Sequence, residues 1–148
     1  MRLRIAAALA LLVALSGEAQ DLSTAVPIAG SWSYAPAADG SEAVFANASG
    51  SPQLWFHCTR ATRRITISRP ATAAAPFLNI WTSSLVRSVA SSFNPATGRL
   101  TIDLSNYDPL LDAMVSSRGR VAFTVGAQPP LVVAPWAEPA RVVEDCRA

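Results

Sequence analysis

The chain has 148 residues, 51% of them hydrophobic and 15% charged, with twelve arginines, no lysine and a formal net charge of +2. That length suits one domain around a single core. A charge so near neutrality lacks the clustered positive potential that supplies most nucleic-acid affinity, which argues against that class of partner.

The first predicted element is an address. Arg2 and Arg4 precede an unbroken apolar run from Ile5 to Leu15, and Gly17 and Ala19 place small residues where a signal peptidase needs them. The run is far shorter than the roughly 20 residues that span a bilayer. Residues 1–19 therefore read as a signal peptide, and residues 20–148 as one exported β domain of net charge +1, periplasmic or secreted. No cysteine follows the cleavage position, so a lipoprotein anchor is not expected, and later apolar runs are too short for a transmembrane segment.

Next come short segments of period-two alternation, the signature of strands with one apolar and one polar face. In 53–59, Leu54, Phe56 and Cys58 oppose Trp55, His57 and Thr59. In 63–69, Ile65 and Ile67 oppose Arg64, Thr66 and Ser68. In 99–104, Leu100, Ile102 and Leu104 oppose Arg99, Thr101 and Asp103, and in 120–125, Val121, Phe123 and Val125 oppose Arg120, Ala122 and Thr124. Segments 31–34, 42–48, 77–83, 86–91 and 131–134 give weaker strand signals, and Gly- and Pro-containing turns separate them. Two stretches break the rhythm. Asp108-Pro109 reads as an N-cap with proline at the first helical position, followed by an apolar stripe of Leu111, Met114 and Val115 and a stop at Gly119. Residues 136–145 either start a short helix at Pro139 or extend. The expected fold is mainly β: a small antiparallel β-sandwich or partly open barrel with one or two short C-terminal helices.

Two cysteines, Cys58 and Cys146, are present. In an oxidising compartment such a pair reads as one disulfide, tying the extreme C-terminus to the middle of the chain. On the chain-entropy account a loop of that size stabilises by about 4–5 kcal/mol at most.

No catalytic set assembles from the residue types. His57 is the only histidine, and its neighbour Cys58 faces the other way in a strand, a poor geometry for a Cys–His dyad. No Gly-x-Ser-x-Gly elbow is present, and a Ser–Lys pair is impossible without lysine. One histidine and a paired cysteine set cannot make a zinc site. Asp108 and Asp112 share a helix face, but one reads as a cap and the other as a partner for arginine, so neither a metal nor another cofactor is expected. Arg118 and Arg120 would share a face if the strand began at Arg118, and could grip an anion; ion pairs with Asp112, Glu138, Glu144 or Asp145 would instead dock the helix and tail. Trp32, Trp55, Trp81 and Trp136 suit a core, although Trp55 and His57 share the polar face of their strand and could form a platform for sugar or peptide.

Residues 108–114 (Asp-Pro-Leu-Leu-Asp-Ala-Met), 117–120 (Ser-Arg-Gly-Arg), 135–138 (Pro-Trp-Ala-Glu) and 140–147 (Ala-Arg-Val-Val-Glu-Asp-Cys-Arg) resemble uncharacterised small secreted proteins of alphaproteobacteria, with a looser fit at 39–45 and 54–58. The resemblance implies export and a coherent domain, and carries no activity. The layout of tryptophan, cysteine-bearing strand and terminal cysteine is also similar to envelope accessory proteins such as those of type VI secretion, an analogy of architecture. The leading expectation is a non-catalytic exported envelope protein that binds a protein or cell-envelope component. The alternatives are a small-ligand or glycan-binding β module using Trp55, His57, Trp81, Arg118 and Arg120, and a hydrolase built on His57. Oligomeric state is not legible.

Overall fold

The computed structural model describes residues 21–135 and 137–148. Residues 1–20, which include the segment read as a signal peptide, and Trp136 lie outside the described residues. Ten strands and two helices follow in chain order: β1 (Gly30–Ala37), β2 (Gly40–Asn47), β3 (Pro52–Thr59), β4 (Arg64–Pro70), β5 (Phe77–Trp81), β6 (Val86–Ala90), β7 (Ser92–Asn94), β8 (Arg99–Ser105), α1 (Pro109–Val115), β9 (Val121–Thr124), β10 (Leu131–Val133) and α2 (Ala137–Arg147). They make a six-stranded sheet, β1-β2-β3-β4-β8-β7, and a four-stranded sheet, β10-β9-β5-β6. Every pairing is antiparallel. This is the expected β-sandwich, with no closed barrel.

Alternation decides which side of each sheet is core. From the large sheet, Trp32, Phe45, Leu54, Phe56, Ile65, Ile67, Leu100 and Ile102 are buried; from the small sheet, Leu78, Ile80, Val121, Phe123, Leu131 and Val133 meet them. Trp32 stands edge-on to Phe45 and Phe56, at centroid distances of 5.4 and 5.8 Å. Phe56 reaches Phe123 of the opposite sheet at 6.5 Å, also edge-on, the arrangement ring quadrupoles favour. The Trp32 indole N–H donates to the Ala134 carbonyl at 3.0 Å, so burying the ring leaves no donor unpaired.

The strands of the two sheets differ in length. β1, β2 and β3 have eight residues each, whereas the small sheet's strands have three to five. At about 3.3 Å per residue the large sheet overhangs its partner by roughly 10 Å or more. α2 fills the overhang. It contacts β1, β2, β3 and β4, and buries Val142, Val143 and Cys146 there. Cys146 is bonded to Cys58 on the inner face of β3. Segment 137–147 is thus helical throughout, settling the choice left open between helix and extended chain.

A polar lock holds the end of α2. Asn106 Nδ2 donates to the Cys146 carbonyl (2.9 Å), Arg147 Nε donates to the Asn106 carbonyl (2.8 Å), and the Arg147 guanidinium clasps both oxygens of Asp112 on α1 (2.8 and 3.1 Å). Asp108 caps α1 by accepting from the Leu110 N–H at 2.9 Å and takes a two-pronged ion pair from Arg87 of β6 at 2.8 Å. Beneath the disulfide, Gly40 cannot be replaced: a Cβ there would lie 2.0 Å from the Cys58 carbonyl oxygen. No described helix is long and apolar enough to cross a membrane.

Replacing both cysteines, Cys58→Ala with Cys146→Ala, should lower the unfolding free energy by about 2–5 kcal/mol. Urea denaturation of the oxidised protein and the double variant measures this, and coincident transitions would contradict it.

Candidate functional site

The outer face of the six-stranded sheet is uncovered by any described element, and the polar side chains of β2, β3, β4 and β8 meet there. Register sets the rows. Glu42, His57, Thr66 and Asp103 lie side by side across four strands, and Val44, Trp55, Ser68 and Thr101 form the next row. Two-residue spacing along each strand returns side chains to one face, so the rows follow from pairing alone.

His57 sits between two carboxylates. Its Nε2 lies 3.0 Å from Asp39 Oδ2, in the tight turn joining β1 to β2, and its Nδ1 lies 3.2 Å from Glu42 Oε2. The hydrogen bond from His57, above all, holds the Asp39 carboxyl below the usual carboxylate range. The ring is about a quarter exposed and its partners more so, so these are solvent-screened contacts of modest strength. The carboxylates lie on opposite ring nitrogens, so they do not converge on a point where a cation could sit. Among the described residues no group of three metal-ligating side chains is found. Both ring nitrogens are engaged by carboxylates rather than by a hydroxyl, and Cys58 lies in the disulfide on the opposite face.

Beside this triplet, the Arg99 guanidinium lies 3.5 Å over the Trp55 ring, reaching across β4 from β8. Such stacking contributes about 0.5–1 kcal/mol at an exposed site. It also covers the ring face on which a sugar would stack. Arg64 pairs with Asp103 at 3.0 Å, and the Ser68 and Thr101 hydroxyls meet at 2.8 Å. The surface is a mosaic: Arg64 and Arg99 against Asp39, Glu42 and Asp103, with most side chains held by a neighbour.

The residues singled out in the sequence separate into two groups. Trp55 and His57 share the open face of the large sheet. Trp81 pairs with Ala122 on the outward side of the small sheet, across the sandwich. Arg118 and Arg120 lie at that second corner, and the strand does not begin at Arg118, the condition under which the two would share a strand face. β9 begins at Val121, and Gly119 breaks the chain at φ +75°. The Arg118 N–H donates to Ser83 Oγ at 2.9 Å, and Arg120 donates from its guanidinium to the Ser23 carbonyl. Neither arginine pairs with Asp112, Glu138, Glu144 or Asp145 among the described residues; Arg147 takes Asp112 instead. The sequence reading missed Asp39, Glu42 and Arg99 as members of the site. The Asp39-Gly40 turn was visible, but strand register, which puts Glu42 opposite His57, was not.

No family model matches the chain, and no curated protein or solved structure is similar to it.

If the His57 contact is what depresses Asp39, the Asp39 carboxyl titrates below 3.8 in the wild type and returns toward that value in His57→Ala. A carboxylate whose folded pKa is depressed stabilises the fold above its ordinary value, and loses that contribution as pH falls through the folded one. Carbon-detected NMR titration of Asp39 reads the shift; identical midpoints in the two proteins would contradict it.

Proposed function

We propose that the chain is a non-catalytic exported domain that binds a protein of the cell envelope through the outer face of its six-stranded sheet. The observation that carries this reading is the asymmetry of that sheet. One face holds most of the core, while the other is left uncovered and carries a fixed array of charged and aromatic side chains. The reading of residues 1–19 as a signal peptide and the Cys58–Cys146 disulfide support export, because disulfides persist in oxidising compartments. Interleaved ion pairs around a half-buried tryptophan suit a protein partner: opposite charges fix register, and the aromatic–arginine pair supplies contact area. The stacking of Arg99 on Trp55 favours this over the glycan reading, since a sugar would first have to displace the guanidinium. The engagement of His57 by two carboxylates likewise favours binding over hydrolysis.

A photo-crosslinking residue placed at Thr66, in the row between His57 and Asp103, should yield one dominant protein adduct in the native envelope. The same residue at Ser84, exposed on the β5–β6 turn, should yield none. Absence of any adduct at Thr66, or the same adducts from both positions, would overturn the proposal.

A further inference from the structure

Four strands end the two sheets: β1 and β7 in one, β6 and β10 in the other. Three of them are curtailed. β7 and β10 have three residues each, and the Val132 carbonyl of β10 is already taken by the Ile28 N–H at 2.9 Å. β6 has five residues and stops at Ala90, because the chain crosses at Ser91 to the other sheet. β1 is different. It runs eight residues, Gly-Ser-Trp-Ser-Tyr-Ala-Pro-Ala, carries no charge, and pairs with β2 from Gly30 to Ala37 without a register shift. Its other side makes no backbone hydrogen bond to a described residue, and Ser31, Ser33 and Ala35 are exposed. Native edge strands are ordinarily blunted by shortness, a lysine, a bulge or a covering element; an unblunted one is a template for another strand. Pro36 is the only such device on β1, and it stands next to the last residue, which leaves 30–35 open.

Beside that edge, on the side of α2, two opposite charges stand without partners. A cleft of about 230 Å³ opens between β1 and the start of α2, lined by Tyr34, Ala137, Glu138 and Arg141. The Arg141 guanidinium lies 3.9 Å over the Tyr34 ring, whose hydroxyl donates to Asp145. Neither Arg141 nor Glu138 makes an ion pair among the described residues, with each other or with any other group. One carboxylate oxygen of Glu138 is sealed from solvent with no hydrogen-bond donor among the described residues. Such an oxygen is costly to bury, and a cation beside the same carboxylate offsets part of that cost.

We propose that β1 is the seam of a homodimer: β1 of one copy pairs antiparallel with β1 of a second, and Glu138 of each copy meets Arg141 of the other. A two-fold axis makes every contact reciprocal, so a surface closes on itself only where it carries its own complement. An edge strand does so through its backbone, whatever its side chains. Glu138 and Arg141 do so in charge, from one cleft beside that strand. This self-complementarity favours a second copy over a foreign strand, which would have to bring its own cation and anion to matching places. The pairing joins two six-stranded sheets into one of twelve strands, with Ser31, Ser33 and Ala35 too small to obstruct the seam. The charge pairs fix its register more than they add affinity.

Sedimentation velocity of the oxidised protein over a concentration series, with amide hydrogen exchange at both ends of the series, tests this. A monomer–dimer equilibrium is expected, with amides in 30–35 exchanging more slowly at high concentration and those of β6 unchanged. Arg141→Glu, at an exposed position, sets like charges against each other and should weaken dimerisation by roughly tenfold or more. Glu138→Arg should do the same. An equimolar mixture of the two variants again sets opposite charges against each other at both contacts, and should associate roughly tenfold more tightly than either variant alone. If Glu138→Arg does not fold, Arg141→Glu and the exchange data on the wild type decide the matter. A monomer at every concentration, a dimer that leaves exchange in β1 unchanged, undiminished dimerisation of Arg141→Glu, or a mixture of folded variants no tighter than its components would each overturn the proposal.

Discussion

A long sheet facing a short one is the constraint from which the other features follow. The seven- and eight-residue strands β1, β2, β3, β4 and β8 on one side, against strands of three to five residues on the other, leave apolar surface with no sheet above it. Apolar surface left wet forfeits about 25 cal/mol per Å² of burial. α2 supplies the missing cover by placing Val142, Val143 and Cys146 on β1 to β4. A helix of eleven residues is marginal alone, so its position must come from tertiary bonds. The disulfide, the Asn106 contacts and the Arg147–Asp112 pair supply them.

That arrangement also accounts for where function can sit. The inner face of the large sheet is consumed by the core and the helix. The outer face remains, and its polar side chains have settled into local pairs. The end of the sandwich opposite α2 is bordered by loops 71–76 and 125–130, with a cleft between them.

Much of this was legible in the residues. Alternation located nine of the ten strands, because the pleat forces apolar residues to every second position wherever one face is buried. β7 escaped notice because it has three residues and is separated from β6 only by Ser91, where the chain passes from one sheet to the other. The helix after Asp108 was visible from its cap, but it ends at Val115, earlier than Gly119. Ser116 returns both its N–H and its hydroxyl to the Asp112 carbonyl, and Ser117 turns toward Arg120 and Ser83. Alternation says which residues face outward and not which sheet they face outward from. For that reason Trp55 and Trp81 looked like one surface and lie on two. The buried Arg69 gave no signal of its own, since it continues the inward positions of Ile65 and Ile67 in a strand otherwise alternating normally.

The direct measurement of the central claim is native-state hydrogen exchange on Val142→Asp with the disulfide intact. This variant places a charge at a fully buried contact between α2 and the large sheet. If α2 completes the core, protection falls in α2 and in β1, β2, β3 and β4 together. Exchange that accelerates in α2 alone, with the large sheet as protected as in the wild type, would show that the sheet stands without its helical cover and would contradict the account.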